Sequence, residues 1–255
     1  MNNKRFSNAS KTYDLHAAPQ KQLARTIVDF LPILENPSIL EIGSGTGVLT
    51  RKLQEKFPNS KIHAIDIADK MIEFCKSEFS QFNNITWQVA DGQFYQNSHL
   101  YDLIASNATL HWTSNLSQTL STIYTNLKPG GLFILGMMLN DTLSELRNLR
   151  KHIAPKKGDG PILPTKKDID RQISSIGFNI IKENHNHRKV EYSNTQVFLK
   201  TIHQQGVTAL QRNDLPLNRS ELLQLINCYQ KVNSDDNGVY ATYETAGYLL
   251  KKPIV

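Results

Sequence analysis

The 255-residue sequence has only two cysteines, Cys75 and Cys228, far apart and without a C-x-x-C pair or a Cys/His cluster. That spacing argues against a disulfide framework and against a zinc site. No apolar run approaches the roughly 20 residues a membrane helix needs. The first residues, Met1 to Arg5, lead into a polar stretch rather than the apolar core of a signal peptide. Neither export nor membrane insertion is expected, and a reducing, cytoplasmic compartment fits. Internal repeats and low-complexity tracts are absent. So is the phosphate-cradling pattern G-x-x-x-x-G-K-S/T. Acidic residues are the scarcer charge, 23 against 29 basic, for a net charge of +6. The imbalance is local: from Arg147 to Lys189 there are eleven Lys and Arg against four Asp and Glu. Such a face is either plain solvated surface or a means of steering an acidic partner, a protein or a nucleic acid.

With 39% hydrophobic and 20% charged residues, the chain can bury one full core, so a single domain is expected over 1–255. Short β-branched runs alternate with helical patterns. Ser38 to Ile42 reads as a strand, Val48 to Phe57 as a helix, Lys61 to Asp66 as a strand and Lys70 to Phe79 as a helix, the signature of parallel βαβ units. Strands at Ile85 to Val89 and Tyr101 to Ser106, a helix from Leu116 to Leu127 and a strand from Gly131 to Gly136 continue the series. Asp69 is a candidate N-cap. After Met138 the rhythm changes. Helices near Leu143 to Ile153 and Lys166 to Ile176 read as additions over one end of the sheet. A strand near Phe178 to Glu183, helices near Thr195 to Gln205 and Ser220 to Lys231, and a strand from Val239 to Leu250 complete the chain.

The turn Glu41-Ile42-Gly43-Ser44-Gly45-Thr46-Gly47 directly follows the first strand and opens the first helix of that series. Glycines there admit a ligand close to the backbone, beside the unpaired amides of a helix N-terminus. An ordinary glycine-rich βα turn is the plain alternative. A dinucleotide fingerprint is not met, because Val48 occupies the place of its third glycine. The turn resembles the (D/E)-x-G-x-G-x-G motif of class I S-adenosylmethionine-dependent methyltransferases. That resemblance implies an α/β, Rossmann-like fold with a mostly parallel seven-stranded sheet and helices on both faces. It also implies a cofactor site. Glu41 helps place the ligand's ammonium group, and Gly43, Ser44, Gly45 and Gly47 border its methionine part. Asp66, with Ile67 and Met71 beside it, accepts from the ribose hydroxyls, and Asp91 with Gly92 faces adenine. Asp66 as a capping acid and Asp91 as a common turn residue are the bland readings. Each landmark ends a successive predicted strand, where open α/β sheets bind ligands.

Ser106-Asn107-Ala108-Thr109-Leu110-His111-Trp112 occupies the position where class I enzymes border the transferred methyl. It lacks the Asn/Asp-Pro-Pro-aromatic element of nucleic-acid amino methyltransferases, which disfavours that substrate class. His111 reads either as a general base or, better, as packed pocket wall. The opening Phe6 to Gln20, with Tyr13, His16 and Gln20, is similar to that of the malonyl-acyl-carrier-protein O-methyltransferases of biotin synthesis. So are Ser106-Asn107 with Leu110 and Trp112, Thr142 to Leu146, Leu163-Pro164, Gly206 to Ala209, and Thr242-Tyr243. This resemblance implies methyl esterification of a malonyl thioester's free carboxylate, with no metal and no required general base. Substrate-positioning candidates are Tyr13, His16, Asn107, His111, Trp112 and Arg147. It implies an N-terminal lid over 1–37, a cofactor-binding core over 38–137, an added basic helical segment over 138–177 and substrate-side elements over 178–255. Acyl carrier protein, an acidic protein, is the implied partner, met by Lys156, Lys157, Lys166, Lys167 and Arg171. A methyltransferase of a small free acid or other metabolite is the alternative, followed by an RNA methyltransferase, for which no binding module is visible.

Overall fold

The computed structural model describes residues 17–158, 162–204 and 215–254. One sheet organises them. Its strands are β1 (Ile39–Ile42), β2 (Ile62–Asp66), β3 (Ile85–Val89), β4 (Tyr101–Asn107), β5 (Leu127–Met138), β6 (Asn179–Tyr192) and β8 (Gly238–Lys251), with a two-residue β7 (Ser234–Asp235). The order is β3-β2-β1-β4-β5-β8-β6, and β7 pairs with β8. The pairs among β1 to β5 are parallel, whereas β8 runs antiparallel to both β5 and β6. All four residues of β1 are buried, as a central strand covered on both faces requires.

One face carries α1 (Ala18–Asp29), α2 (Val48–Lys56) and α3 (Asp69–Glu78). Leu23, Ile27, Leu49, Leu53 and Cys75 pack there against Ile39, Ile62, Leu103 and Ile134. The other face carries α4 (Leu116–Asn126) and α6 (Lys166–Ile176), whose Leu120, Ile123, Ile169 and Ile173 close over Leu40, Ile42, Ile104 and Phe133. Each such fully buried aliphatic side chain contributes about 1.5–3 kcal/mol. A third cluster stands beyond the ends of the parallel strands. Leu143, Phe198, Ile202, Tyr229, Val239, Ala241 and Tyr243 join α5 (Ser144–Ile153), α7 (Thr195–Gln204) and α8 (Arg219–Val232) to the outer halves of β6 and β8.

Three expectations change. The helix at Lys166 to Ile176 is not an addition over the sheet's end. It is the crossover helix between β5 and β6, because Ile169 and Ile173, one turn apart, are both fully buried on the sheet face. Of the expected added segment, α5 and a 3-10 turn, Pro155–Lys157, belong to the end region. The strand expected to stop near Glu183 runs to Tyr192 and pairs with β8 from Asn179↔Lys251 to Tyr192↔Val239. Its residues are almost all exposed, so no alternation of apolar residues marks it; backbone pairing with β8 carries it, with Val190 and Tyr192 packing at its outer end. Asp69 is the first residue of α3 rather than its cap: Ala68 takes the cap position, without a side-chain cap bond. Elsewhere the caps follow side-chain chemistry. Asn115 accepts from the Gln118 amide and Thr165 from that of Asp168, while Asn218 and Glu221 form a reciprocal capping box.

Candidate functional site

The chain leaves β1 toward β2 and β3, then returns on the other side as β4, so the loops after β1 and β4 diverge and open a crevice. Three glycines shape the first loop, all with positive φ: Gly43 at +75°, Gly45 at +52° and Gly47 at +84°. A Cβ on Gly43 would lie 2.1 Å from the Thr109 side chain, and one on Gly47 would lie 2.4 Å from the Phe79 ring. Those two glycines are demanded by packing. A Cβ on Gly45 would meet nothing within 4 Å, so this glycine faces the open crevice. Thr109, whose hydroxyl donates to the carbonyls of Gly43 and Asn107, ties the two loops together. Thr109 sits inside the quoted motif, yet nothing in its spacing singled it out.

Two carboxylates stand at the strand ends. Asp66 accepts from the amides of Gly45 and Ala68, each at 2.8 Å, so it shapes the glycine loop directly. Burial pushes its carboxyl above the ordinary range against the pull of those amides. Glu41, 1% exposed, accepts from the Thr50 hydroxyl at 2.6 Å through Oε2. Its Oε1 has no partner among the described residues, and neither have Ser44 Oγ, Asn107 Oδ1 and Gln20 Oε1. An enclosed polar atom left unpaired costs about 1–3 kcal/mol. Four of them around the β1–β4 divergence fit a polar ligand that would supply the missing bonds. Asp91 is exposed in its turn and accepts from the Gln93 amide, and Gly92 lies against Ile42, 2.3 Å from its Cβ position. Ile67 is half-buried. Met71 is 2% exposed and offers a ligand little surface.

Burial drives the Glu41 carboxyl from 4.5 up to about 8, with the Thr50 hydrogen bond opposing and the Asp66 charge adding to the rise. Between those values the folded protein holds a proton that the unfolded chain has lost. Ligand-free stability therefore falls as pH rises through this window, by roughly 2–4 kcal/mol. Glu41→Gln should flatten that slope. Urea denaturation of both proteins at pH 5 and pH 8 checks it, and parallel slopes would contradict the assignment.

Asn107 ends β4 and donates to the Gln20 carbonyl at 3.0 Å, which fastens the start of α1 to the rim of the crevice. Ala108 follows with φ +51°, a left-handed conformation costing about 1–2 kcal/mol. His111 packs at a tilt against Trp112, with ring centroids 5.1 Å apart. Its Nδ1 is enclosed and has no partner among the described residues, and burial holds its pKa down to about 3. The ring is neutral and a poor base, which favours the pocket-wall reading. Arg147 donates to the carbonyls of Asn140 and Thr142, so part of its guanidinium secures the loop leading into α5. Tyr13 and His16, with the rest of residues 1–16 of the expected lid, lie outside the described residues, as do Gly206 to Ala209. Among the described residues no group of three or more His, Cys, Asp or Glu is arranged to hold a metal ion.

A family model described as a methyltransferase domain matches residues 40–133, the span from β1 into β5. Two relatives are similar over nearly the whole chain. One, from Ilyobacter polytropus and named malonyl-acyl-carrier-protein O-methyltransferase 2, is 32% identical and covers 98% of this chain and 96% of its own. Another, from Priestia megaterium and named malonyl-acyl-carrier-protein O-methyltransferase, is 31% identical with the same coverage, 98% and 96%. The solved structure of phosphoethanolamine N-methyltransferase 2 from Haemonchus contortus, in complex with S-adenosyl-L-methionine, superposes with a TM-score of 0.59 at 18% identity. It covers 96% of this chain and 56% of its own. The fold is that of the class I methyltransferases.

Proposed function

The chain belongs to the malonyl-acyl-carrier-protein O-methyltransferase family, and from that premise we propose that it esterifies the free carboxylate of a malonyl thioester carried on acyl carrier protein, forming the methyl ester that enters biotin synthesis. The observation that carries this reading is the crevice at the β1–β4 divergence, where Gly45 faces open space between the Glu41 and Asp66 loops. In that crevice Glu41, Gly43, Ser44, Gly45 and Gly47 hold the methionine part of S-adenosylmethionine, Asp66 and Ile67 its ribose, and Asp91 and Gly92 its adenine.

When bound, S-adenosylmethionine supplies an electrophilic sulfonium methyl. The rest falls to the protein. A malonyl carboxylate is ionised at neutral pH, so no proton has to be removed, consistent with a His111 too weakly basic to remove one. Asn107, His111 and Trp112 wall the place where a carboxylate oxygen lines up with the methyl, and the segment carrying Tyr13 and His16 excludes water. Positioning of this kind supplies about 7–11 kcal/mol in the best cases. Arg147, which also secures its loop carbonyls, is a candidate for the second carboxylate oxygen. The reaction belongs in the cytoplasm, and among the described residues no helix is long and apolar enough to cross a membrane.

The carrier is acidic, and the basic segment is its docking surface in this reading. Not all the expected cations are available. Lys157 pairs with Glu221, Lys166 with Asp170 and Glu183, and Arg171 with Asp168. Lys156 and Lys167 form no ion pair among the described residues. Reversing Lys156 and Lys167 to Glu should raise the KM for the carrier substrate about three- to tenfold at low salt and much less at high salt, because exposed charges act through screened fields. Unchanged KM at low salt would remove this surface from the docking account.

Rates with malonyl-acyl carrier protein, malonyl-coenzyme A and free malonate at equal concentration test the substrate class. The carrier substrate is expected to lead free malonate in kcat/KM by about 100-fold or more, the scale of several remote binding contacts. Equal values would favour a methyltransferase of small free acids.

A further inference from the structure

We propose that the groove between α1 and the β6–β8 ribbon holds the phosphate-and-amide arm through which a carrier protein presents its thioester, with Arg188 taking the phosphate. The proposal rests on the reading that the substrate is carrier-bound. The groove is a shallow surface concavity with an enclosed volume of about 20 Å³, and Gln22, Leu23, Asn184, Asn186, Arg188 and Thr245 are among its lining residues. Asn184, Asn186 and Arg188 alternate along β6 and so share one face of the strand. Opposite them on β8, Asn186 pairs with Thr245 and Arg188 with Tyr243.

The side-chain amides of Asn184 and Asn186 on this face are uncommitted among the described residues, unlike the polar groups on the other face of the same strand. There His185 meets Glu244 at 2.7 Å, His187 meets Asp141 at 3.7 Å, and Lys189 sits 3.7 Å from the Tyr240 ring centre. Among the described residues Arg188 forms no ion pair or hydrogen bond, and none of those lining the groove is acidic. A single guanidinium beside three side-chain amides matches a ligand with one phosphate and a pair of amides, for which bidentate Arg–phosphate pairing is the preferred contact.

Position separates this site from that of the reacting carboxylate. Thr245 lies level with Met138, the last residue of β5. Arg188 is two residues further out, roughly 7 Å at the usual strand rise. At the inner end stands Leu23. Its Cγ comes within 2.9 Å of a Cβ position on Gly136, which Asn107 Oδ1 approaches to 2.4 Å. The groove thus has an exposed cation at its rim and is closed at its inner end by Leu23, which packs on the wall shared with Asn107.

Steady-state kinetics with malonyl-acyl carrier protein and with the phosphate-free malonyl thioester of N-acetylcysteamine test this. Arg188→Ala should raise the KM for the carrier substrate about tenfold, with kcat changed less than twofold, while KM for the phosphate-free thioester stays the same. Arg188→Lys should recover part of the loss, and Lys189→Ala on the opposite face should affect neither substrate. An equal rise with both substrates, or no rise with the carrier, overturns the arm site. Wild-type protein that fails to methylate the carrier substrate at all would instead overturn the functional reading, and the arm site with it.

Discussion

Replacing Gly45 by leucine is expected to abolish S-adenosylmethionine binding, by about 100-fold or more, in a protein that remains folded. The Cβ position has no neighbour within 4 Å, so the cost to folding is the left-handed backbone at φ +52°, about 1–2 kcal/mol. In a domain of this size that lowers Tm by only a few degrees per kcal/mol. The new side chain fills the space that the ligand's methionine part takes in this account. Gly47→Ala should behave in the opposite way. Its Cβ would enter the Phe79 ring at 2.4 Å with φ at +84°, so the damage falls first on stability. Calorimetric titration with S-adenosylmethionine beside thermal unfolding reads both effects. Full affinity in Gly45→Leu would show that the crevice is not the cofactor site.

Asp66→Ala is expected to weaken the cofactor about 30- to 100-fold. Two losses add. The ribose hydroxyls lose their acceptor, and the amides of Gly45 and Ala68 lose theirs, at about 1–3 kcal/mol for each enclosed donor left unpaired. Asp66→Asn keeps one acceptor and should be milder. The loop effect and the ribose effect separate with an analogue lacking both ribose hydroxyls. Wild type and Asp66→Asn should bind that analogue nearly alike while differing on the natural cofactor. Equal affinity of wild type and Asp66→Ala for S-adenosylmethionine would refute the ribose role.

The parallel half of the sheet and its glycine turn are legible in the sequence because their requirements are local. Buried parallel strands read as apolar runs, and β1 is Ile39-Leu40-Glu41-Ile42 with every residue inside. The glycine turn declares itself by three residues that need positive φ, and Asp66 by its place at a strand end. Other features depend on partners distant in the chain. The outer half of β6 is held by β8 about 50 residues later, and its exposed residues carry no periodic signal. Only the contact of Ile169 and Ile173 with the sheet core tells a crossover helix from an added one. Arg147 shows the same limit: its charge suggested a ligand for the malonyl carboxylate, whereas the fold spends part of it on the carbonyls of Asn140 and Thr142. Arg188 shows the converse. The spacing Asn184, Asn186, Arg188 is visible in the sequence, but it gains meaning only once α1 closes the groove beside it.

Intact mass spectrometry of malonyl-acyl carrier protein, after incubation with this protein and S-adenosylmethionine, tests the central claim most directly. The account predicts a gain of one methylene on the malonyl form alone, lost again on mild base treatment, with unacylated carrier unchanged. No gain from a protein shown to bind S-adenosylmethionine, or an equal gain on the unacylated carrier, would contradict it.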